Sequence, residues 1–255
     1  MLKTIQKHRF LLEELIKRDF DRKYKGALLG AAWSVMNPLL TLLIMRVIFG
    51  HFFGGAIEHY TTYLFCGTVV FSFFTESTAE GLMALVGNAH IFTKINVPKY
   101  LFLLAKNAQT LINFFLTLLV FLLFCALNGI AFSWRFLLLL YPVVTLLLFN
   151  LGMGFILSAL YVFYRDIQYL WGVLTQFLLY LSAVFYSIDT FPADVQNLFL
   201  INPLYLFIRY FRKIVLDGTP PSAGFHLLMA FDAVVVLTLG IWIYKKNDTE
   251  FLYYV

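Results

Sequence analysis

Residues 107–134 read NAQTLINFFLTLLVFLLFCALNGIAFSW and residues 136–164 read FLLLLYPVVTLLLFNLGMGFILSALYVFY, with only Arg135 between them. Each run is free of charge and longer than the roughly 20 apolar residues that carry a helix across roughly 30 Å of hydrocarbon. Two membrane-crossing helices joined by a short loop are the reading that fits. Working outward, the gaps from Lys25 to Arg46, Glu58 to Glu76 and Asp166 to Asp189 hold one helix each. A last run over 225–244 is interrupted by Asp232 alone. The expectation is an all-α integral membrane protein with six spans, near 28–52, 60–78, 104–127, 136–161, 170–187 and 225–244.

Composition agrees. The 255 residues are 61% hydrophobic and 19% aromatic, with 13% charged, against about 25% charged in soluble chains. So little charge cannot cover a soluble surface, and a soluble enzyme is excluded. The net charge of +5 does not point to nucleic acid, because the basic residues flank the spans. Most of them fall on the side that carries both termini, which places the termini in the cytoplasm. No cleavable leader is expected, since the first 25 residues are densely charged. Cys66 and Cys125 sit inside apolar runs and read as small buried hydrophobes.

Two segments do not fit the spanning pattern. In 4–25, Leu12, Ile16, Phe20 and Tyr24 recur every fourth residue with Leu15 beside them. Glu13–Lys17, Glu14–Arg18 and Asp21–Lys25 form opposite-charge pairs at i,i+4. An amphipathic basic helix lying in the membrane interface is expected. In 191–213, fourteen uncharged residues over 195–208 are too short to cross and are split by Pro203. A re-entrant hairpin turning at Asn202 and Pro203 is expected. Arg209, Arg212 and Lys213 would then lie among headgroups.

Catalytic chemistry is sparse. The sequence has no phosphate-binding loop and no Gly-Lys pair, so ATP hydrolysis by that route is excluded. His51, Glu58 and His59 have no metal-ligand spacing. Asp232 is the one acid deep in a span, and it is expected to pair with an Arg of the outer leaflet. Phe177 and Tyr180 share a face at i,i+3, continued by Val184, with Phe185 and Tyr186 following off that row. Trp33, Met36 and Leu40 make a comparable row in the first span. Such rows either pack within one subunit or offer flat apolar faces to sugar rings.

Several segments together resemble one family. Residues 25–33, KGALLGAAW, followed by Asn37-Pro38-Leu39, are similar to the first span of ABC-2 type permeases of polysaccharide export. The loop over 88–100, with Lys94, Pro98 and Lys99, resembles their cytoplasmic coupling segment. Tyr164-Arg165-Asp166-Ile167 resembles their Arg-Asp-Ile element. Phe191-Pro192, Asn202-Pro203-Leu204 and Phe211-Arg212 resemble their external gate hairpin.

The resemblance covers nearly the whole chain and implies a single ABC-2 type transmembrane domain over 1–255. It implies a homodimer with two copies of a separate nucleotide-binding subunit, where ATP and Mg would bind; no cofactor is expected on this chain. The cargo would be a lipid-linked glycan of O-antigen, capsule or teichoic acid type, crossing the cytoplasmic membrane of a bacterium. The polymer would pass along the first and fifth spans, past Trp33, Met36, Leu40, Phe177, Tyr180, Val184, Phe185 and Tyr186. Phe20, Asn88, Lys94, Pro98 and Lys99 would meet the ATPase. Pro192, Asn202, Pro203, Arg209 and Arg212 would form the gate. Arg165 and Asp166 would make structural ionic contacts. The alternatives are an exporter of a small lipid or drug on the same fold, a secondary transporter, opposed by the absence of paired mid-membrane charges from this sequence, and a membrane transferase, opposed by the absence of a catalytic cluster.

Overall fold

The computed structural model describes residues 8–24, 30–55, 57–189 and 191–254. The expected beginning of the first helix and residues 25–29 of the quoted motif lie outside these. Helices are α1 (Arg9–Tyr24), α2 (Trp33–Phe53), α3 (Tyr60–Leu82), the single turn α4 (Ala89–Phe92), α5 (Tyr100–Leu127), α6 (Leu140–Phe163), α7 (Ile167–Leu181), α8 (Ala193–Phe199), α9 (Pro203–Val215), α10 (Ala223–Asn247) and the single turn α11 (Phe251–Tyr254). Among the described residues four stretches are long and apolar enough to cross a membrane: Val35–Phe53, Tyr100–Leu127, Trp134–Phe163 and Ala223–Asn247. Tyr60–Leu82 and Val86–Phe92, meeting at 54°, make a fifth if taken as one bent span.

α3 is the central helix, packed against α2, α5, α6 and α9. Aromatic pairs fill its flanks. Phe73 stacks on Phe114 at 4.4 Å between ring centroids, and Phe65 meets Phe121 edge-on at 5.2 Å. Pairs at these separations add about 0.5–1.5 kcal/mol beyond their buried area. Much of the aromatic content is therefore packing between helices. Cys66 and Cys125 are both free and buried in this core.

The expected fifth span is shorter than its apolar run. The sequence stays uncharged to Asp189, but α7 stops at Leu181, and Ala183 takes a left-handed φ of 50°. For a non-glycine residue that conformation costs roughly 1–2 kcal/mol, so surrounding bonds must hold it. The fifteen residues of α7 rise about 22 Å, less than the hydrocarbon thickness. Val184 thus leaves the helical row it was assigned to.

α1 carries the expected apolar stripe, and it meets protein. Leu15 is buried, with Leu11, Leu12 and Ile16 packed into the same cluster as Phe92, Phe102 and Phe155. Its charge pairing differs from the expectation. Arg9 pairs with Glu13 at 2.6 Å, while Arg18 bonds its neighbour Asp19 and the distant Asn88. The partner of Asp21, Lys25, lies outside the described residues.

Candidate functional site

The segment expected to be a hairpin contains two helices, α8 and α9, separated by a break that ends at Asn202 and Pro203. Pro203 opens α9, where its missing N–H removes no helical bond. Asn202 caps α9, its Oδ1 accepting from Leu204 N at 3.0 Å. The same side chain reaches back to the end of α7. Its Nδ2 donates to Leu181 O at 3.2 Å and Ser182 Oγ at 3.0 Å. One amide thus fixes the start of α9 and satisfies a terminal carbonyl of α7.

The segment after α7 is held by a run of side-chain donors. Arg212 on α9 donates from Nη1 to Ala183 O at 2.9 Å and from Nη2 to Val184 O at 2.8 Å. Tyr60 and Tyr63 on α3 donate to Phe185 O at 2.8 Å and Tyr186 O at 2.7 Å. Four consecutive carbonyls are thereby occupied, which is how the left-handed Ala183 persists. Arg212 also lies 3.4 Å from the Tyr63 ring centroid, close enough for a cation–π contact. It is buried, and a Cβ on Gly67 would come within 3.1 Å of its Nη2. Gly67 leaves room for the guanidinium. The expectation that Arg212 sits among headgroups is therefore corrected: its acceptors are backbone carbonyls inside the protein.

A cleft of about 790 Å³ opens beside this clasp. Arg209 and Lys213 line it together with Glu58, Asp189, Tyr186 and Tyr205. The Arg209 guanidinium lies 5.9 Å from the Tyr205 ring centroid. Charges of both signs line the cleft, and Tyr205 is buried in its wall.

The two expected rows fare differently along their length. Trp33, Leu40, Phe177 and Tyr180 are exposed, each more than two-fifths so, and Met36 is half-buried. α7 has no fully buried residue, although it is mostly apolar. Val184 and Phe185 do not join that face. Both are in the core, and Phe185 stacks on Phe49 at 4.5 Å. Tyr186 is half-buried, and its hydroxyl donates to Tyr180 O at 2.8 Å. Among the described residues no ring contact or hydrogen bond joins the first-span row to Phe177 or Tyr180.

At the opposite end, a network unread in the sequence ties α1 to the bundle. Lys106 on α5 meets Glu80 on α3 at 2.8 Å and Asp19 on α1 at 3.5 Å. Lys23 meets Glu76 at 2.5 Å, and Asn113 donates to the same carboxylate oxygen at 2.6 Å. Asp19 is buried, so its charge is met from two sides by Arg18 and Lys106. The available signal was a pair of acids four residues apart on one face of an apolar helix, which demands partners.

Two expected docking residues are used internally. Asn88 is buried and bonded to Arg18 and to Ala84 O. Lys99 bonds Asp248 O at 2.5 Å and Asp248 Oδ1 at 3.2 Å. Lys94 is exposed, and Phe20 and Pro98 are half-buried. Arg165 and Asp166 do not pair with each other; Arg165 donates to Tyr254 O at 3.1 Å and lies over the Tyr161 ring. Asp232 is half-buried on α10, and no ion pair meets it among the described residues.

Residues 11–216 match the family model for the ABC-2 type transporter. The chain is similar to an O-antigen export system permease protein RfbA of Klebsiella pneumoniae, 26% identical over 94% of this chain and 93% of that protein. It is similar to an O-antigen export system permease protein RfbA of Myxococcus xanthus, 26% identical over 98% of this chain and 97% of that protein. A polysialic acid transport protein KpsM of Escherichia coli is 20% identical over 94% of this chain and 95% of its own length. The chain belongs to the ABC-2 type transporter family.

Proposed function

We propose that this chain is the permease subunit of an ATP-driven exporter that moves a lipid-linked polysaccharide across the cytoplasmic membrane of a bacterium. What carries the reading is the likeness over 94% and 98% of the chain to proteins named as O-antigen export permeases. A 255-residue subunit cannot readily enclose a glycan. The reading therefore pairs two copies, so that the exposed faces of α2 and α7 meet across a dimer and line the conduit. One face of α7, with Trp171, Leu178 and Leu179, packs on the core of its own subunit, while Tyr169, Val173, Phe177 and Tyr180 are exposed, which supports that placement. In this reading α7, completed by the segment and hairpin that follow it, is the fifth of six spans, and all of 1–255 is one transmembrane domain. Both termini are cytoplasmic.

The hairpin over 191–213 acts as the gate of that conduit. Asn202 and Arg212 link it directly to the end of α7, so movement of the path helix and of the gate are coupled. Energy comes from two copies of a separate nucleotide-binding subunit resting on α1 and on the exposed Lys94 loop. The network from Asp19 through Lys106 to Glu80 carries force from α1 into the spans.

Two measurements test this. Purified chain alone should hydrolyse no ATP above background, and co-expression with its nucleotide-binding subunit should give activity in the purified complex. Robust hydrolysis by the chain alone would overturn the reading. Separately, with Cys66 and Cys125 replaced by Ala, cysteines at Leu40 and Phe177 should cross-link between subunits on oxidation and block export. Cross-links confined to one subunit would place the path elsewhere. Val184, being in the core, should not cross-link.

A further inference from the structure

The segment 248–254, which follows α10, is bonded at its two ends to two different loops. At its start, the backbone oxygen and Oδ1 of Asp248 both accept from Lys99 Nζ, at 2.5 and 3.2 Å. Lys99 belongs to the loop ahead of α5, and its side chain is largely buried. At the other end, the carbonyl of Tyr254 accepts from Arg165 Nη2 at 3.1 Å, in the turn ahead of α7. The Tyr254 ring meets Phe163 edge-on at 5.0 Å. Between the two ends, Phe251 is completely buried. Its ring lies 5.1 Å from that of Tyr244 and 6.0 Å from that of Phe163, and the Lys99 ammonium stands 6.0 Å from its centroid.

General apolar burial does not hold this segment, because Leu252 is 48% and Tyr253 85% exposed. It is held at one ring and at its two ends. It is also stiff. Glu250 N donates to Asn247 O at 3.0 Å and Tyr253 N to Glu250 O at 2.9 Å, so the bonded turns run on from α10 without slack. Among the described residues no hydrogen bond, ion pair or ring contact joins 94–99 directly to 164–168. Lys99 and Arg165 have the segment as their common partner. A stiff element bonded to two loops transmits a shift of either one, since displacement at one end is not absorbed in between.

We propose that 248–254 is a strap through which the loop ahead of α5 and the turn ahead of α7 move together, with Lys99, Phe251 and Arg165 as its positioning residues. In the exporter reading the first loop is pushed at the exposed Lys94, and α7 lines the path. The strap then gives the push a second route, from the loop to the inner end of the path helix, beside the one that runs from α1 through Lys106. That use of the strap rests on the exporter reading; the coupling of the two loops does not.

Amide hydrogen exchange on the full chain in detergent tests the coupling without any partner, read at the hydrogen-bonded amides of 94–97 and 167–170. Coupling between sites is reciprocal, so Lys99→Met should speed exchange over 167–170, and Arg165→Gln over 94–97, each by about five-fold or more. In a Phe251→Ala background, where the strap has lost its anchor, neither substitution should reach the far end. Should Phe251→Ala not fold, a chain stopped at Asn247 gives the same comparison. Exchange that changes only beside each substitution, or a far effect that persists without the anchor, would overturn the strap. Its use in transport is read separately. In cells whose own copy is replaced by Phe251→Ala, surface polysaccharide should fall by about five-fold or more, while the purified complex with its nucleotide-binding subunit keeps its ATP hydrolysis. Hydrolysis that falls in step with polysaccharide would make the segment a folding element and overturn the transmission of the push. Surface polysaccharide unchanged when the whole chain is deleted would overturn the exporter reading and leave the exchange result to decide the strap.

Discussion

Replacing Arg212 with Met is expected to abolish export and to lower the unfolding midpoint by roughly 10 °C, since about 3–5 kcal/mol is lost at about 2–4 °C per kcal/mol for a chain of this size. The guanidinium satisfies Ala183 O and Val184 O at 2.9 and 2.8 Å, and its Nε lies 3.4 Å from Tyr63 O. Met fills the volume but leaves those carbonyls buried without a donor. The left-handed Ala183 then loses the bonds that offset its strain, and the turn after α7 relaxes. Because Asn202 and Arg212 tie α9 to the end of α7 and to the segment after it, the proposed gate would lose register with the proposed path. Arg212→Lys keeps the charge but replaces a planar fork by one ammonium. It should retain about half the stability and little export. An unchanged midpoint in Arg212→Met would show that the clasp is incidental.

That clasp shows where sequence reading stops. Spans are legible because charge is rare: four of the six expected spans fall on helices long and apolar enough to cross, and a fifth on the bent pair that starts at Tyr60, each to within a few residues at most ends. The exception is instructive. Composition over 182–188 is as apolar as a span, and nothing in it announces a left-handed residue at Ala183. Val184 was therefore given to the face of Phe177 and Tyr180, and Phe185 to the path beside it, when both are buried in the core. Arg212 was placed among headgroups because a charge count sees carboxylates and lipids as partners, not backbone carbonyls freed by a helix end thirty residues earlier. Asn202 was legible in part. Its type and its place before Pro203 predict a cap, but its second bond to Leu181 O depends on how the hairpin folds back. Asn88 and Lys99 are assigned to a partner because their loop resembles a coupling segment. The chain itself supplies their partners from positions 70 and 149 residues away, a pairing that periodicity cannot reach.

Replacing Gly152 with Ala is expected to lower the midpoint by roughly 5–10 °C, because overpacking costs about 1–3 kcal/mol where neighbours can yield and here they are backbone. A Cβ on Gly152 would lie 2.6 Å from Leu237 N, and one on Gly240 would lie 2.4 Å from Gly152 O. α6 and α10 therefore touch main chain to main chain. α10 buries only Met229, Ala233, Gly240 and Tyr244, a narrow seam with few large side chains to hold it. In lipid, helices gain no hydrophobic energy by associating, so contact of this closeness is what joins them. A methyl group at either glycine must push the helices apart along the whole seam. Gly172→Ala on α7 is the matched control, since a Cβ there meets nothing within 4 Å. The same chemical change should there be neutral or stabilise by up to about 1 kcal/mol, as Ala favours a helix over Gly. The double variant of Gly152 and Gly240 distinguishes a shared contact from two separate clashes. One separation of the helices relieves both overlaps, so its loss should fall well short of the sum of the single losses. Additive losses, or a Gly152→Ala midpoint equal to that of Gly172→Ala, would show that α6 and α10 do not meet at these residues.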